Sequence, residues 1–179
     1  MYIRETSLDG ARLLEPAASH DARGSFMRTF CARTFAEHGL ETGFVQHSLS
    51  HSLKKGTLRG MHYQEAPHGE VKLVSCVRGA ILDVIVDLRP ASATYLQWCS
   101  FELTQDNRRQ LYVPKGFAHG FLTLCDDVLV NYLISEFYHP PSARGLRYDD
   151  PVLDIVWPEA PAIISDKDLN WPSLIPVSS

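Results

Sequence analysis

The chain has 179 residues, of which 45% are hydrophobic and 21% are charged. This length and composition predict one soluble globular domain over residues 1–179, with enough apolar residues for a core that needs no metal or disulfide. The 17 Lys and Arg against 21 Asp and Glu give a net charge of −4, so the basic excess typical of a nucleic-acid partner is excluded. No apolar run approaches the roughly 18 residues of a membrane-spanning helix, so no membrane partner is predicted.

The four cysteines, Cys31, Cys76, Cys99 and Cys125, are widely separated and form no CxxC pair. Together with the lack of a signal-type leader, this spacing predicts a cytoplasmic protein with reduced thiols. Three of the four lie in apolar surroundings, which favours buried packing over a nucleophilic role.

In chain order, the first predicted element is a short helix in "ARTFAEHGL" (32–40), with Gly39 at its end. Alternating apolar and polar residues then predict two strands in 70–90 joined at Arg78-Gly79, two more in 108–124 turning at 114–116, and one in 128–138. The proline-rich tail from Asp149 predicts loops that wrap around the strands. Short strands at this spacing predict an all-β sandwich or barrel with one or two short helices.

Two histidines lie in motifs of such a fold. "PKGFAHGF" contains Pro-x-Gly-x-x-His (114–119), which is typical of the second motif of cupins, and "GMHYQEAPHGEVKLVSCVRG" (60–79) stands in place of the first. A metal-binding cupin would carry His-x-His and a Glu in that first motif. Here Gln64 replaces the second histidine after His62, and the substitutes His68 and Glu70 lie near a predicted loop. A metal site is therefore one hypothesis, and a proton-transferring His62 is the other.

Polar residues at inner strand positions favour a ligand cavity. If Arg78-Gly79 is a two-residue hairpin turn, Val74 faces Asp83 and Lys72 faces Ile85, which places Lys72 and Asp83 on one face. A buried Lys and Asp are costly unless paired, so this arrangement indicates a polar cavity, whereas a solvated outer face is the alternative. Tyr132, in the middle of a strand, is by itself no more than a core aromatic.

The chain resembles the dTDP-4-dehydrorhamnose 3,5-epimerases, which are metal-free cupins acting on nucleotide-linked 4-keto-6-deoxy sugars. The resemblance rests on collinear segments along nearly the whole chain: "DARGSFMRTF" (21–30), "FVQHSLS" (44–50), "KGTLRGMHYQ" (55–64), "VKLVSCVRGAILDVIVDLRP" (71–90), "LYVPKGFAHGF" (111–121), "YDDPVLDIVWP" (148–158) and "SDKD" (165–168). It implies a double-stranded β-helix (jelly roll), no metal or organic cofactor, and a homodimer whose N-terminal segment reaches the partner's site. It also implies a role in activated deoxysugar biosynthesis, for surface polysaccharide or a glycosylated metabolite.

Position by position, the resemblance makes His62 the general base and Asp168 the carboxylate that orients it. It makes Tyr132 the general acid and places Lys72 beside the 4-keto oxygen of the sugar. This set suits the chemistry, because a 4-keto group acidifies the hydrogens on C3 and C5 and the resulting enolate needs a cation or donor. Inversion then requires a second proton donor on the opposite face of the ring.

Further residues match the ligand-binding positions of the family. Arg59 and His119 match contacts to the diphosphate or sugar, and the fork of an arginine can bond two phosphate oxygens at once. The remaining matches are Arg23, Gln46, Lys167, Asp83 and Tyr138. Strict alternation would point Arg59 and His62 to opposite faces, so a bulge at Gly60 is predicted to bring them to one cavity.

The chain departs from the family pattern at three places. The family commonly has Glu where this chain has Arg28, Gln-Asp-Asn where it has Gln46-His47-Ser48, and an acidic residue near Ala143. These positions lie among the nucleotide contacts, so Arg28 is assigned to substrate binding by its place in the motif. The proton-transfer residues are unaffected.

Two other classes of function stay open from the sequence alone. A metal-dependent cupin oxygenase or isomerase would bind a transition metal. A non-catalytic sugar-nucleotide-binding cupin would need Arg59 and His119 but not Tyr132 and Asp168.

Overall fold

The computed structural model describes residues 1–174. Within that range the strands, in chain order, are β1 (Tyr2–Glu5), β2 (Arg12–Glu15), β3 (Ala18–Asp21), β4 (Gly24–Met27), β5 (Gln46–Ser52), β6 (Leu58–Gln64), β7 (Lys72–Arg78), β8 (Ala80–Asp87), β9 (Trp98–Thr104), β10 (Gln110–Val113), β11 (Phe117–Thr123), β12 (Val128–Ile134) and β13 (Ala143–Gly145). The helices are α1 (Ala32–Glu37), α2 (Asp166–Leu169) and a 3₁₀ turn at Pro140–Ser142. No helix in the described range is long and apolar enough to cross a membrane.

Two antiparallel sheets make up the body of the molecule. The larger sheet has the strand order β1-β2-β10-β7-β12-β5, the smaller one has β13-β6-β11-β8-β9, and β3 and β4 form a separate hairpin. This double-sheet, largely β architecture confirms the predicted cupin-type jelly roll with short helices.

Apolar side chains fill three layers, because both sheets are covered on both faces. The middle layer lies between the sheets and includes Val74, Ile85 and Phe121. A second layer packs α1, through the fully buried Phe35, against the outer face of the larger sheet. In the third, Leu153 and other residues of the C-terminal segment cover the outer face of the smaller sheet, which confirms that the tail wraps the barrel.

The predicted hairpin at Arg78-Gly79 is wrong. Strands β7 and β8 belong to opposite sheets, so the chain crosses the sandwich at this point, and the same holds for β10 and β11 around residues 114–116. Lys72 is the neighbour of Val113 and Ile134, not of Ile85, and Asp83 is the neighbour of Phe121, not of Val74. Period-two alternation shows that a strand has a buried face, but it does not show which strand lies beside it.

The other predicted elements need only small changes of boundary. Helix α1 ends at Glu37, and Gly39 follows it with φ +67°, donating its N–H to the carbonyl of Ala36 at 3.1 Å. Strand β12 ends at Ile134, four residues before the predicted end at Tyr138. The segment after Ile134 therefore leaves the sheet and runs along the rim of the sandwich.

The bulge predicted at Gly60 is confirmed. His119 of β11 lies opposite His62, and Phe121 lies opposite Arg59, so two residues of β6 oppose one residue of β11. Gly60 has φ +144°, and a Cβ there would lie 2.5 Å from the Cα of Gly120. Only glycine fits this approach of two backbones.

Candidate active site

A cavity of about 700 Å³ opens between the two sheets. Its wall combines inward-facing positions of both sheets with the C-terminal segment: Gln46, Ser48, Ser50, Thr57, Leu58, Arg59, His62, Glu70, Lys72, His119, Tyr132, Ile134, Tyr138, Ile163, Ile164, Ser165, Lys167 and Asp168. Nine of the twelve predicted site residues therefore line one concave space. Such a pocket, apolar in part and with convergent polar groups, is typical of a small-molecule site.

His62 and Asp168 form a hydrogen-bonded pair at the wall. His62 Nε2 lies 2.6 Å from Asp168 Oδ1; the histidine side chain is 42% exposed and the aspartate side chain 6%. Burial alone would raise the pKa of Asp168, but the hydrogen bond and charge of His62, together with donors from Gly60 and Trp171, outweigh it and lower that pKa. An ionised Asp168 accepting from Nε2–H leaves Nδ1 of His62 as the free proton acceptor.

The C-terminal segment delivers Asp168 to this position. Ile163 lies beside Thr57 in a parallel bridge, and its carbonyl accepts the N–H of Leu58 at 2.8 Å, which fixes the segment along the start of β6. Helix α2 then begins after Ser165, whose hydroxyl caps it by accepting the N–H of Asp168 at 3.1 Å. Indole Nε1 of Trp171 donates to Asp168 Oδ1 at 3.3 Å.

Lys72 is the cation on the opposite wall. It projects from β7 of the larger sheet, its ammonium lies 2.9 Å from Glu70 Oε1, and both side chains are only 11% exposed. The ammonium also donates to the backbone carbonyl of His62 at 3.2 Å. Lys72 acts electrostatically on Asp83, so the predicted shared interior of these two residues is correct although the predicted hairpin is not.

Tyr132 lies on β12 of the larger sheet, across the sandwich from His62 on β6 of the smaller sheet. Burial, and after it the negative charge of Asp83, raises the pKa of Tyr132, so the phenol keeps its proton. Its ring meets His119 edge to face, with centroids 5.9 Å apart. A protonated phenol and a free imidazole nitrogen thus stand on opposite sides of the cavity.

Asp83 does not line the cavity but lies behind His119. It is fully buried, and Nε2 of His119 is 2.8 Å from its Oδ1 and 3.1 Å from its Oδ2. Burial raises the pKa of Asp83, while the charge of His119 works in the opposite direction. Asp83 therefore contacts the ring of His119, which itself lines the cavity, and the assignment of Asp83 to substrate binding remains a prediction.

Arg59 and Gln46 are predicted ligand-binding residues at the rim of the cavity. The Arg59 guanidinium donates to Ser52 Oγ at 3.1 Å and to the carbonyl of His51 at 2.9 Å. Gln46 Oε1 accepts the N–H of Tyr138 at 2.9 Å. The two contacts of Arg59 orient its guanidinium, and the contact of Gln46 joins β5 to the segment that carries the exposed Tyr138.

Lys167 and Tyr138 also border a smaller pocket of about 140 Å³ that adjoins the main cavity. Ala143 lies in the wall of this pocket, so one of the three departures from the family pattern occurs beside the predicted tyrosine. The Lys167 ammonium lies 5.3 Å from the centre of the Trp171 ring.

Arg23 and Arg28 are not brought to the cavity of their own chain. Arg23 lies in the turn between β3 and β4, its side chain is 90% exposed, and it pairs with Asp21 at 2.6 Å. Arg28 follows β4 and is exposed. The assignment of both to substrate binding remains a prediction.

The residues of the first cupin-like motif contact one another or other side chains. The Gln64 side chain is buried and its amide donates to the carbonyl of His68 at 3.0 Å and to Glu70 Oε2 at 3.1 Å. The ring of His68 stacks on His139 with centroids 3.8 Å apart. Across residues 1–174, no three His, Cys, Asp or Glu side chains are grouped as they would be around a metal ion.

The four cysteines carry free thiols. Burial raises the pKa of Cys76 and of Cys99 to about 11. A thiol that stays protonated at neutral pH is a poor nucleophile, which agrees with the packing role predicted for these residues.

The sequence analysis missed Trp171 and the backbone N–H of Gly60 as contributors to the site, and it considered Glu70 only as a substitute metal ligand. Glu70 is two residues before Lys72, so an extended chain puts both on one face, and that spacing was a usable signal. Trp171 follows Asp168 by three residues, which is one helical turn. The backbone N–H of Gly60, 3.4 Å from Asp168 Oδ2, carries no signal in the residue types.

Comparison with known proteins agrees with this geometry. The family described as dTDP-4-dehydrorhamnose 3,5-epimerase matches residues 5–175. The enzyme of that name from Methanothermobacter thermautotrophicus is 49% identical over 174 residues, which cover 95% of this chain and 92% of the relative.

Solved structures show the same likeness. The crystal structure of the Bacillus anthracis dTDP-4-dehydrorhamnose 3,5-epimerase with TDP and PPi bound is 43% identical, covers 97% of this chain and 99% of its own, and has a TM-score of 0.94. A 4-keto-6-deoxy sugar epimerase from the novobiocin biosynthetic gene cluster of Streptomyces spheroides is 36% identical, with coverages of 97% and 87% and a TM-score of 0.92. By sequence along nearly its whole length and by fold, the chain belongs to the dTDP-4-dehydrorhamnose 3,5-epimerase family.

Proposed function

We propose that this protein epimerises a nucleoside-diphosphate 4-keto-6-deoxyhexose at C3, at C5 or at both, with dTDP as the nucleotide. The observation that carries the proposal is the placement of His62, paired with Asp168, and Tyr132 on opposite sheets facing one cavity. Epimerisation needs this placement, because a proton must leave one face of the sugar ring and another must arrive on the opposite face.

Each residue has a role in that sequence of steps. Nδ1 of His62 removes the hydrogen on the carbon next to the ketone, and Asp168 stabilises the imidazolium that forms. The Lys72 ammonium stabilises the negative charge on the enolate oxygen. Tyr132 then donates its phenolic proton to the same carbon from the other side, which restores the ketone with inverted configuration. Proton exchange with solvent returns the Tyr132 phenolate and the His62 imidazolium to their starting forms.

Binding of the nucleotide part rests on the rim. Arg59 is oriented by Ser52 and can offer its remaining N–H groups to the diphosphate. The exposed ring of Tyr138 is available to stack on a base. A dTDP moiety is supported by the TDP bound to the Bacillus anthracis enzyme.

The experiment is incubation of the protein in D₂O with dTDP-4-keto-6-deoxyglucose and with its CDP and GDP analogues. Deuterium at C3 and C5 is read by NMR, together with the configuration of the product. Incorporation is expected with the dTDP sugar and is expected to be lost in His62→Ala. Absence of incorporation with every nucleotide would contradict the proposal, and undiminished incorporation by His62→Ala would contradict the assignment of the base.

We also propose that the protein is a homodimer in which the N-terminal hairpin β3–β4 completes the partner's site. Two observations support this arrangement. Arg23 and Arg28 match ligand positions of the family but lie away from their own cavity, and Phe26 on the same hairpin is 75% exposed. Aromatic residues are enriched in protein interfaces, and a partner that covered this hairpin would bury the Phe26 ring.

Complementation tests the shared site directly. Arg23→Ala and His62→Ala are each expected to lose activity, but after mixing and subunit exchange about a quarter of the activity should return, because half of the dimers are mixed and each has one intact site. Light scattering checks the dimer. A monomeric mass would contradict the dimer, and a dimer without recovery in the mixture would contradict the shared site.

A cytoplasmic location remains our proposal for the cell. It is supported by the free state of all four thiols, since such cysteines persist in a reducing compartment.

A further inference from the structure

The ammonium of Lys72 has a defined set of neighbours. It forms an ion pair with Glu70 Oε1 at 2.9 Å and donates a hydrogen bond to the backbone carbonyl of His62 at 3.2 Å. An ammonium carries three N–H donors, and the His62 carbonyl takes one of them, so the ammonium can still donate to a ligand in the cavity. With both Lys72 and Glu70 only 11% exposed, little water competes for these contacts.

Glu70 is itself held in place. Its Oε2 accepts a hydrogen bond from Gln64 Nε2 at 3.1 Å, while its Oε1 faces Lys72. Gln64 is fixed in turn, because its Oε1 accepts the N–H of His139 and its Nε2 also lies by the carbonyls of His68 and Phe137. The carboxylate therefore has both oxygens engaged and one orientation.

This arrangement matters because the ammonium of a lysine stands on a flexible four-carbon stem and needs a fixed partner to hold one position. The other carboxylates near Lys72 are already paired, Asp168 with His62 at the wall and Asp83 with His119 behind it. Without Glu70, the ammonium would lose its nearest counter-charge and the contact that aims it along the wall. The distance from the ammonium to a reacting oxygen would then vary with the rotamer of Lys72.

We propose that Glu70, clamped by Gln64, is a positioning residue that holds the Lys72 ammonium toward the carbonyl oxygen where enolate charge develops. The inference rests on the proposed function, since it concerns that reaction's charged intermediate. Glu70 does not touch substrate in this account; it acts through Lys72. Its effect should therefore appear in the chemical step and only while Lys72 is present.

The test is a double-mutant cycle with Glu70→Gln and Lys72→Met, read as kcat and KM with dTDP-4-keto-6-deoxyglucose. Lys72→Met is expected to lower kcat about 100-fold, as loss of a single transition-state donor does. Glu70→Gln should lower kcat about tenfold and change KM less than about twofold. In the Lys72→Met background, Glu70→Gln should produce no further fall, because residues acting as a unit are not additive.

Two further variants make the cycle specific. Glu159→Gln is the matched control, because Glu159 pairs with Lys55 at 3.2 Å on the surface, and neither residue lines the cavity; its kcat should equal that of the wild type. Glu70→Asp keeps the charge with a shorter reach, so its kcat should lie between those of the wild type and Glu70→Gln. If Glu70→Gln fails to fold, Glu70→Asp enters the same cycle, with its deficit again expected to vanish beside Lys72→Met.

The outcomes separate this inference from the proposed function. The role of Glu70 is overturned if the kcat of Glu70→Gln equals that of the wild type. It is also overturned if Glu70→Gln lowers kcat by the same factor with Lys72 and with Lys72→Met. A wild-type protein that shows no exchange and no epimerised product instead overturns the proposed function.

Discussion

Replacing Asp168 by Asn tests the proton-transfer pair most directly, because the change removes a charge and keeps the shape. Asp168 Oδ1 accepts from His62 at 2.6 Å and from Trp171 at 3.3 Å, and Oδ2 accepts from Gly60 at 3.4 Å. An Asn amide placed with its oxygen at Oδ1 keeps the two shorter contacts and turns its NH₂ toward the long one. The opposite placement would set NH₂ against two donors, so the first is favoured and His62 keeps its Nε2–H tautomer.

The expected loss then equals the charge assistance of one hydrogen bond. Bonds to charged groups contribute about 1.5–3 kcal/mol, and each 1.36 kcal/mol corresponds to a factor of about ten in rate. We therefore expect kcat of Asp168→Asn to fall about 10- to 150-fold. KM should change little, because the imidazolium that Asp168 stabilises forms only during the reaction.

The assay is the initial rate of deuterium incorporation at C3 and C5 at saturating substrate, with thermal unfolding to confirm the fold. Asp166→Asn is the matched control, since Asp166 lies on the same short helix but is exposed, and its rate should equal that of the wild type. A kcat of Asp168→Asn within about threefold of the wild type would refute the reasoning on charge. A loss beyond about 10⁴-fold would refute the reasoning on the tautomer.

Three other perturbations follow from the same geometry. Tyr132→Phe should keep deuterium exchange on the side of His62 but lower the yield of inverted product about 100-fold, since abstraction does not need the phenol; NMR separates the two, and parallel loss of both would contradict the assignment. Gly60→Ala should lower the free energy of unfolding by about 2–4 kcal/mol in urea titrations, because residue 60 has φ +144° and its new Cβ would collide with the Cα of Gly120. Gly43→Ala is the control and should cost far less, since the nearest atom to its Cβ is 3.4 Å away. Asp87 is buried, and although desolvation opposes its ionisation, bonds from Arg89, Ser92 and Thr94 lower its pKa. The stability that ionised Asp87 contributes is therefore complete above the unfolded pKa of about 3.9 and is lost as pH falls through the folded pKa. Asp87→Asn should unfold more easily at pH 7 yet lose less stability on acidification. An equal loss of stability on acidification in the wild type and in Asp87→Asn would contradict this.

Much of the site could be predicted because its residues lie in contiguous motifs. His119 ends the six-residue motif Pro-x-Gly-x-x-His (114–119), and His62 lies in the segment that replaces the first cupin motif, so the residue types alone singled out both histidines, while the role of Arg59 came from the resemblance. Asp168 is 106 positions from its partner His62, and only the resemblance to a family connected the two. The contacts of Trp171 and of the Gly60 N–H with Asp168 depend on how the C-terminal segment packs, which no local pattern encodes.

The failure of the predicted hairpins has a definite physical origin. Strands β7 and β8 each place alternate side chains toward the core, and this pattern fits either a hairpin or a crossing between stacked sheets, which in the structure is made at the single connecting residue Gly79. The jelly roll uses the crossing at Arg78-Gly79. Lys72 and Asp83 consequently approach each other from opposite sheets, and the reasoning from the cost of burying a charge was correct because it depends on the interior, not on strand pairing.

The bulge at Gly60 connects the three charged parts of the site. By adding one residue to β6, it turns Arg59 toward the same cavity as His62, which strict alternation forbids. The extra residue also interrupts the backbone hydrogen bonds between β6 and β11, and the N–H of Gly60 points to Asp168 Oδ2 instead of to a neighbouring strand. The close approach of Gly60 to Gly120 is what permits this, since any side chain at either position would push the strands apart. The shared direction of Arg59 and His62 and one of the hydrogen bonds to Asp168 therefore depend on the same pair of glycines.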